Sequence, residues 1–146
     1  MKKVLILSGS PRKDGNSDLL CSEFMRGAQE SGNEVQKIFV RSKKIVPCNA
    51  CYYCRDHGGK CALNDDMSEI LDAMQAADVI VMASPVYFYS IGAQMKAVID
   101  RSVARWTNIP NKEFYYIMTA AEDSDTVMDC TLECFRGFAA CLDGAQ

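Results

Sequence analysis

An unbroken apolar run that stops at a loop of small and polar residues constrains the fold of this chain most strongly. The run covers residues 4–7, the loop covers residues 8–17, and a helical pattern begins at Ser17. A continuous rather than alternating apolar run is typical of a parallel strand that is buried on both faces. The segment therefore predicts a strand, a tight loop and a helix whose N-terminus faces that loop.

The loop carries groups that are suited to hold an anion. Gly9 and Gly15 allow a close backbone approach, and the free N–H groups that begin the helix point into the same space. Hydroxyl, amide and guanidinium donors come from Ser8, Ser10, Arg12, Asn16 and Ser17. The glycine patterns of P-loops and dinucleotide folds are absent, so the loop suits a terminal monophosphate. The alternative is an ordinary strand-to-helix turn in which Ser17 caps the helix.

Strand and helix patterns alternate along the rest of the chain. Further strands are predicted at residues 34–40, 78–83 and 113–118, and helices at residues 17–30, 65–76, 91–106 and 125–140. Alternating elements with continuous apolar strands predict a doubly wound parallel α/β sheet. The length of 146 residues predicts a single domain, residues 1–146, with a cysteine-rich loop at residues 41–65.

Charge and hydropathy restrict the classes of partner. A formal net charge of −3 gives no reason to expect nucleic acid or an anionic membrane as a partner. The N-terminal apolar run is too short for a signal peptide, and no stretch reaches transmembrane length, so we expect a cytoplasmic protein. Disulfides are rare in that compartment, so the eight cysteines indicate metal or redox chemistry.

Three loops are expected at one edge of the sheet, because ligands of doubly wound sheets bind beyond the carboxyl ends of the strands. These loops begin at Ser8, Ser84 and Thr119. The second loop offers flat and apolar residues that can wall a planar ring system, namely Pro85, Val86, Tyr87 and Phe88. Thr119 can hydrogen-bond the other end of such a ring. A ligand with one phosphate and a flat heteroaromatic ring fits all three loops, and FMN is the candidate. Ordinary packing or a dimer contact is the alternative for the aromatic residues.

The loop at residues 41–65 carries a second candidate site. Its cysteines follow the spacing C-x2-C-x2-C-x6-C and are Cys48, Cys51, Cys54 and Cys61. Three cysteines at successive x2 spacing can wrap one face of an iron–sulfur cluster, and a fourth can close it. Zinc is one alternative, and a loop without metal that packs or carries redox-active thiols is another. We interpret His57 as an exposed loop residue. The helical cysteines are expected to be buried as small apolar side chains: Cys21, Cys130, Cys134 and Cys141.

The chain resembles the flavodoxin-like NAD(P)H-dependent FMN reductase superfamily and, within it, the iron–sulfur flavoproteins. Five motifs carry the resemblance, at residues 9–17, 47–54, 61–67, 84–88 and 96–101. The resemblance implies a flavodoxin-like sheet in the order 2-1-3-4, whose fifth edge strand and last helix are not found in this sequence. It implies that Ser10, Arg12, Asn16 and Ser17 hold the FMN phosphate. It further implies that Pro85, Val86, Tyr87 and Phe88 lie along the flavin ring, with Thr119 near its far side.

The resemblance also implies a function. It predicts an FMN-dependent oxidoreductase that passes electrons from NAD(P)H through FMN to a small acceptor. The alternative is an electron carrier with FMN and a [4Fe–4S] cluster, held by Cys48, Cys51, Cys54 and Cys61 and reduced by ferredoxin; a flavin-binding module is a third possibility. No catalytic side chain is expected, because the flavin supplies the chemistry. A homodimer or higher homo-oligomer is expected. Lys96, Asp100 and Arg101 are interpreted as solvated or interface ion pairs.

Overall fold

A mainly parallel sheet forms the centre of the computed structural model, which describes residues 1–124 and 126–146. Its strands are β1 (Lys3–Ser8), β2 (Glu34–Phe39), β3 (Val79–Tyr87), β4 (Ser90–Ile91) and β5 (Glu113–Thr119). The parallel strands follow the order β2-β1-β3-β5, and the short β4 turns back antiparallel on the end of β3. The predicted flavodoxin-like class is confirmed. The sequence did not predict β4, so the fourth predicted strand is β5.

Five helices are described; four differ from the prediction mainly at their ends, and a short one inside the cysteine-rich loop was not predicted. They are α1 (Asn16–Glu30), α2 (Tyr53–Asp56), α3 (Met67–Ala76), α4 (Ala93–Arg101) and α5 (Asp129–Ala140). The predicted extension of α4 to residue 106 is wrong, because the chain there forms separate 3-10 turns at Ser102–Ala104 and Trp106–Asn108. The last helix begins at Asp129, and its predicted start at Asp125 lies outside the described residues. Over the described ranges, no helix is both long and apolar enough to cross a membrane.

Both faces of the sheet are covered, which explains the continuous apolar strands. Successive residues of a strand point to opposite faces. On one face Val4, Ile6 and Val81 pack with Cys21 of α1. On the other face Leu5, Leu7 and Met82 share a core with side chains of α3, α4 and α5.

The outer edge of β5 carries a short parallel contact. The Gln146 N–H donates to the Lys112 carbonyl at 3.0 Å, and the Phe114 N–H donates to the Gln146 carbonyl at 2.8 Å. This is the hydrogen-bond pattern of a parallel bridge between Gln146 and Glu113. The first residues of β5 are therefore covered at this edge of the sheet.

Candidate functional site

The carboxyl ends of β1, β3 and β5 lie side by side. Ser8 is in register with Ala83, and Pro85 is in register with Thr119. The Gly9 N–H donates to the Ala83 carbonyl at 2.8 Å, and the Ser17 and Thr119 hydroxyls are 2.7 Å apart. The three loops that the sequence singles out are therefore joined directly at one edge of the sheet.

The loop after β1, residues 9–15, is folded tightly on itself. The Ser10 hydroxyl donates to the Arg12 carbonyl at 2.9 Å and accepts the Arg12 N–H at 3.2 Å. A Cβ atom at Gly9 would lie 2.6 Å from the Ala83 carbonyl oxygen, so a side chain would push the loop away from β3. Ser10 is buried, whereas the side chain of Arg12 is exposed beside it. We call residues 9–15 the phosphate loop.

The start of α1 faces this loop without a capping side chain. Its N-cap residue is Gly15, and among the described residues no side chain hydrogen-bonds the cap. The alternative in which Ser17 caps the helix is therefore wrong, because Ser17 lies inside α1 and its hydroxyl contacts Thr119. Ser17 is buried and Asn16 is exposed. The first N–H groups of a helix and its macrodipole favour an anion at this position.

A buried polar network lies beneath the phosphate loop. The Asp18 carboxylate accepts the Ser8 hydroxyl at 2.8 Å and the Asp14 N–H at 3.1 Å, and it pairs with the Lys37 ammonium at 2.6 Å. Burial alone would raise the pKa of Asp18, but the hydrogen bonds from Lys37, Ser8 and Asp14 outweigh it and lower the pKa below its ordinary value. In this arrangement the Ser8 hydroxyl donates to Asp18 in the protein interior, and its role as a donor to the cofactor stays a prediction.

The segment predicted to contact the ring forms the hairpin of β3 and β4. Phe88 and Tyr89 occupy its two-residue turn with φ angles of 48° and 60°, a left-handed conformation that is unusual for bulky residues. Pro85 is buried, Val86 is half-buried, and Phe88 is fully exposed. The Ser84 hydroxyl accepts the Gly92 N–H at 2.8 Å, which fixes the hairpin to the start of α4.

Tyr89 connects this hairpin with the loop that follows β5. Its hydroxyl donates to the Glu122 carboxylate at 2.9 Å. This hydrogen bond raises the pKa of Tyr89 above its ordinary value. Tyr87 is in register with Ser90 and its side chain is partly exposed at the same edge.

The four loop cysteines line one cavity of about 730 Å³. Its apolar wall includes Ile99, Val103, Trp106 and Phe138. Cys48 and Cys51 are exposed, and Cys54 and Cys61 are half-buried. Within residues 1–124 and 126–146, no group of three or more His, Cys, Asp or Glu side chains is placed to hold a metal ion. The donor chemistry fits a soft metal or a cluster, but the ligands are not assembled in this arrangement.

The interpretation of His57 as an exposed loop residue is confirmed. Its ring stacks on Tyr53 with 3.6 Å between centroids, and its Nδ1 lies 2.8 Å from the Tyr53 carbonyl. The helical cysteines differ from one another. Cys21 is buried, as predicted, and burial raises the pKa of its thiol to about 11. The predicted burial is wrong for Cys130 and Cys141, which are exposed, and for Cys134, which is half-buried, because α5 turns Thr131 and Phe135 toward the core instead.

A buried ion pair holds the two ends of the cysteine loop. The Arg101 guanidinium donates to both carboxylate oxygens of Asp65, at 2.7 and 2.9 Å, and each side chain is 2% exposed. Arg101 also donates to the Val46 carbonyl at 2.6 Å and to the Cys61 sulfur at 3.4 Å. The interpretation of Arg101 as a solvated or interface charge is therefore wrong. Lys96 and Asp100 do form an exposed pair on α4.

Comparison with known proteins decides the family. Residues 2–126 match the family described as NADPH-dependent FMN reductase. The chain belongs to this family. Over 100 residues it is 44% identical to an iron–sulfur flavoprotein of Methanocaldococcus jannaschii, covering 68% of this chain and 51% of that protein. Over 101 residues it is 43% identical to an iron–sulfur flavoprotein of Methanosarcina thermophila, covering 69% of this chain and 52% of that protein. The resemblance to the iron–sulfur flavoprotein branch is thus confirmed, and the chain spans about half the length of these relatives.

Solved structures agree on the fold. An apo NADH:FMN oxidoreductase superposes with a TM-score of 0.73 at 19% sequence identity, covering 97% of this chain and 70% of that chain.

Sequence reasoning missed the carboxylate–cation pairs of Asp18 with Lys37 and of Asp65 with Arg101. The sequence does place an acidic residue near the start of each helix that follows a candidate loop, Asp18 in α1 and Asp65 before α3. The identity of each cationic partner depends on contacts across 19 and 36 residues of sequence. Such contacts leave no local pattern in a single sequence.

Proposed function

We propose that this protein is an FMN-dependent oxidoreductase that passes electrons from NAD(P)H through bound FMN to a small acceptor. The observation that carries the proposal is the junction of three strand ends at an uncapped helix start, in a chain of the FMN reductase family. FMN, when bound, accepts a hydride and releases electrons to the acceptor. The side chains of this protein bind and orient the cofactor.

The phosphate loop supplies the groups for the phosphate end. The first N–H groups of α1 and the buried hydroxyls of Ser10 and Ser17 would donate hydrogen bonds to the phosphate oxygens. Arg12 and Asn16 carry exposed donors at the rim of the same loop. A guanidinium can hold a phosphate by two parallel hydrogen bonds, which gives Arg12 the largest expected contribution among these side chains.

The hairpin supplies the groups for the ring end. Pro85 pairs in register with Thr119 at the end of β3, and Val86 follows it, so both lie at the edge of the sheet where the three loops meet. Tyr87 and Phe88 follow at the turn, where their flat side chains can cover a planar ring. The similarity to an NADH:FMN oxidoreductase structure supports a nicotinamide as the electron donor.

The test is a flavin titration followed by anaerobic reduction. We expect the flavin-free protein to bind FMN and the bound flavin to be bleached by NADH or NADPH. Arg12→Ala should weaken FMN binding by about tenfold or more, because a charge-assisted hydrogen bond is lost. Arg26→Ala is the matched control, since Arg26 lies on α1 but pairs with Glu23 and Glu30 on the exposed surface. Failure of the unmodified protein to bind FMN would refute the proposal.

A second candidate function is electron transfer by an iron–sulfur flavoprotein reduced by ferredoxin. It is favoured because Cys48, Cys51, Cys54 and Cys61 line one cavity and because the relatives at 43–44% identity carry that name. Anaerobic reconstitution should then give about four irons per chain, and Cys48→Ser should lose them. Cys130→Ser is the control, since Cys130 is an exposed thiol on α5. Flavin without iron after reconstitution would leave the first candidate.

We also propose a homo-oligomer, a dimer or larger. Phe88 is fully exposed at a turn and Trp106 is partly exposed, and large apolar side chains in solvent favour a protein contact. Light scattering of the flavin-loaded protein gives the mass directly, and a monomeric mass would contradict this proposal.

A further inference from the structure

The network beneath the phosphate loop contains a feature that works against phosphate binding when taken alone. Asp18 lies in the first turn of α1 with its side chain 7% exposed. A carboxylate there satisfies the positive end of the helix dipole, which is the same potential that a phosphate would use. A negative charge so close to the site also repels a phosphate dianion.

The structure shows why a carboxylate is nevertheless needed. Asp14 has a φ of 58°, a conformation that few residues other than glycine adopt, and the Asp18 carboxylate accepts its N–H at 3.1 Å. The other carboxylate oxygen accepts the Ser8 hydroxyl at 2.8 Å from the end of β1. Asp18 therefore holds both ends of the phosphate loop in their observed shape.

Lys37 of β2 is placed to remove the charge conflict. Its ammonium lies 2.6 Å from the Asp18 carboxylate and also donates to the Asp18 carbonyl at 3.1 Å and the Ser22 hydroxyl at 2.9 Å. An ammonium has three N–H donors, and these three acceptors on α1 occupy them. Lys37 thus acts on the site through Asp18, and its side chain is 18% exposed.

We propose that Lys37 is the residue that makes this site selective for the phosphate ester of the flavin, by neutralising Asp18 so that the carboxylate shapes the loop without repelling the phosphate. Lys37 is a positioning residue in this scheme, and the inference rests on the proposed FMN site. This inference predicts that Lys37 affects the affinity only for a flavin that carries a phosphate. Riboflavin has the same ring without the phosphate, so its binding should not depend on Lys37.

The experiment measures dissociation constants of FMN and riboflavin for the flavin-free full chain. Lys37→Met should weaken FMN binding by about 30-fold, the order expected for one uncompensated charge near a phosphate, and change riboflavin binding by less than about twofold. Adding Asp18→Asn to Lys37→Met should recover at least about fivefold of the FMN affinity, because the double variant is again neutral. Lys37→Arg keeps the cation and should stay within about threefold of the unmodified protein.

Lys43→Met is the matched control. Lys43 follows β2, and its ammonium lies 2.6 Å from the Glu69 carboxylate. The substitution therefore removes one cation and one ion pair, but away from the phosphate loop. It should leave both dissociation constants within about twofold.

Several results would overturn the inference. Equal weakening of FMN and riboflavin in Lys37→Met would indicate general structural damage, and unchanged FMN binding would show that Lys37 has no role. If Lys37→Met does not fold, the neutral double variant decides, because it must keep the preference for FMN over riboflavin. Unmodified protein that binds neither flavin would refute the proposed function together with this inference. Normal FMN binding by the unmodified protein, without the predicted pattern in the variants, would refute this inference alone.

Discussion

The phosphate loop and the cysteine loop achieve order in opposite ways. The phosphate loop is short, and its hydroxyl and backbone groups are bonded within the loop and to α1. The cysteine loop is long and is fixed at its base, where Asp65 and Asp66 accept the N–H groups of Val46 and Lys44, while Cys48 and Cys51 are exposed at its far end. A preformed site loses little conformational entropy on binding, whereas a loop that must close around its ligand loses more.

The two loops nevertheless share one device at their base. Each is held by a buried carboxylate that accepts backbone N–H groups of the loop and pairs with a cation from a distant element, Asp18 with Lys37 and Asp65 with Arg101. The difference lies in what the pair supports. Asp18 stabilises backbone that directly faces the candidate ligand, whereas Asp65 stabilises the two ends of a loop whose candidate ligands lie further along it.

The largest loss of folding stability is expected from breaking the ion pair at the base of the cysteine loop. Arg101→Met leaves the buried carboxylate of Asp65 without its cation and should lower the free energy of unfolding by about 3–5 kcal/mol. Arg105→Met is the control, since Arg105 pairs with the exposed carboxylate of Asp72 and should cost about 1 kcal/mol or less. Urea unfolding at neutral pH measures both. Equal losses in the two variants would contradict a special role for the buried pair.

A smaller loss of stability is expected when a side chain is introduced at Gly9, where the phosphate loop packs closely against β3. Gly9→Ala places a Cβ atom 2.6 Å from the Ala83 carbonyl and 3.0 Å from the Met95 side chain. It should lower the free energy of unfolding by about 1–3 kcal/mol and weaken FMN binding, because the loop must move away from β3. Gly27→Ala has open space around it in α1 and should instead stabilise by about 0.5–1 kcal/mol. A harmless Gly9→Ala would show that the loop is not tightly fixed.

The hydrogen bond between α1 and β5 should contribute less to FMN binding and stability than the features above. Ser17→Ala removes the 2.7 Å hydrogen bond to Thr119 and one candidate phosphate donor. The expected loss of FMN affinity is about tenfold, which corresponds to roughly 1.4 kcal/mol for one hydrogen bond. Ser31→Ala, at the exposed far end of α1, is the control and should leave the affinity unchanged. Unchanged binding in Ser17→Ala would remove Ser17 from the proposed site.

Local patterns explain how much of this structure the sequence could predict. The apolar residues 4–7 and 79–83 predicted strands that the structure confirms, because burial on both faces leaves a continuous apolar run. The turn at Phe88 and Tyr89 was missed, since bulky residues at positive φ carry none of the usual Asn-Gly signals of a tight hairpin. The burial of Arg101 was missed for another reason. A charged residue on a helix normally faces solvent, and its partner Asp65 is 36 residues away in sequence.

The two buried carboxylates should stabilise the fold at neutral pH and lose that contribution in acid. Burial alone would raise the pKa of Asp65, but hydrogen bonds from Arg101, Val46 and Met67 lower it below the ordinary value of 3.8, and the pKa of Asp18 is lowered likewise. A lowered pKa in the folded state means that the stabilisation is present above pH 3.8 and is lost as the pH falls below it through the folded-state pKa.

The difference in the free energy of unfolding between the unmodified protein and Asp65→Asn should therefore shrink between about pH 5 and about pH 2. Asp18→Asn should show the same convergence. Asp56→Asn removes an exposed carboxylate of the cysteine loop and should differ from the unmodified protein by less than about 0.5 kcal/mol throughout. Convergence for Asp65 but not for Asp18 would mean that the two loops do not share one electrostatic device. In that case the phosphate loop would owe its shape to its short length and to Gly9 and Gly15, and the cysteine loop alone would depend on a buried charge.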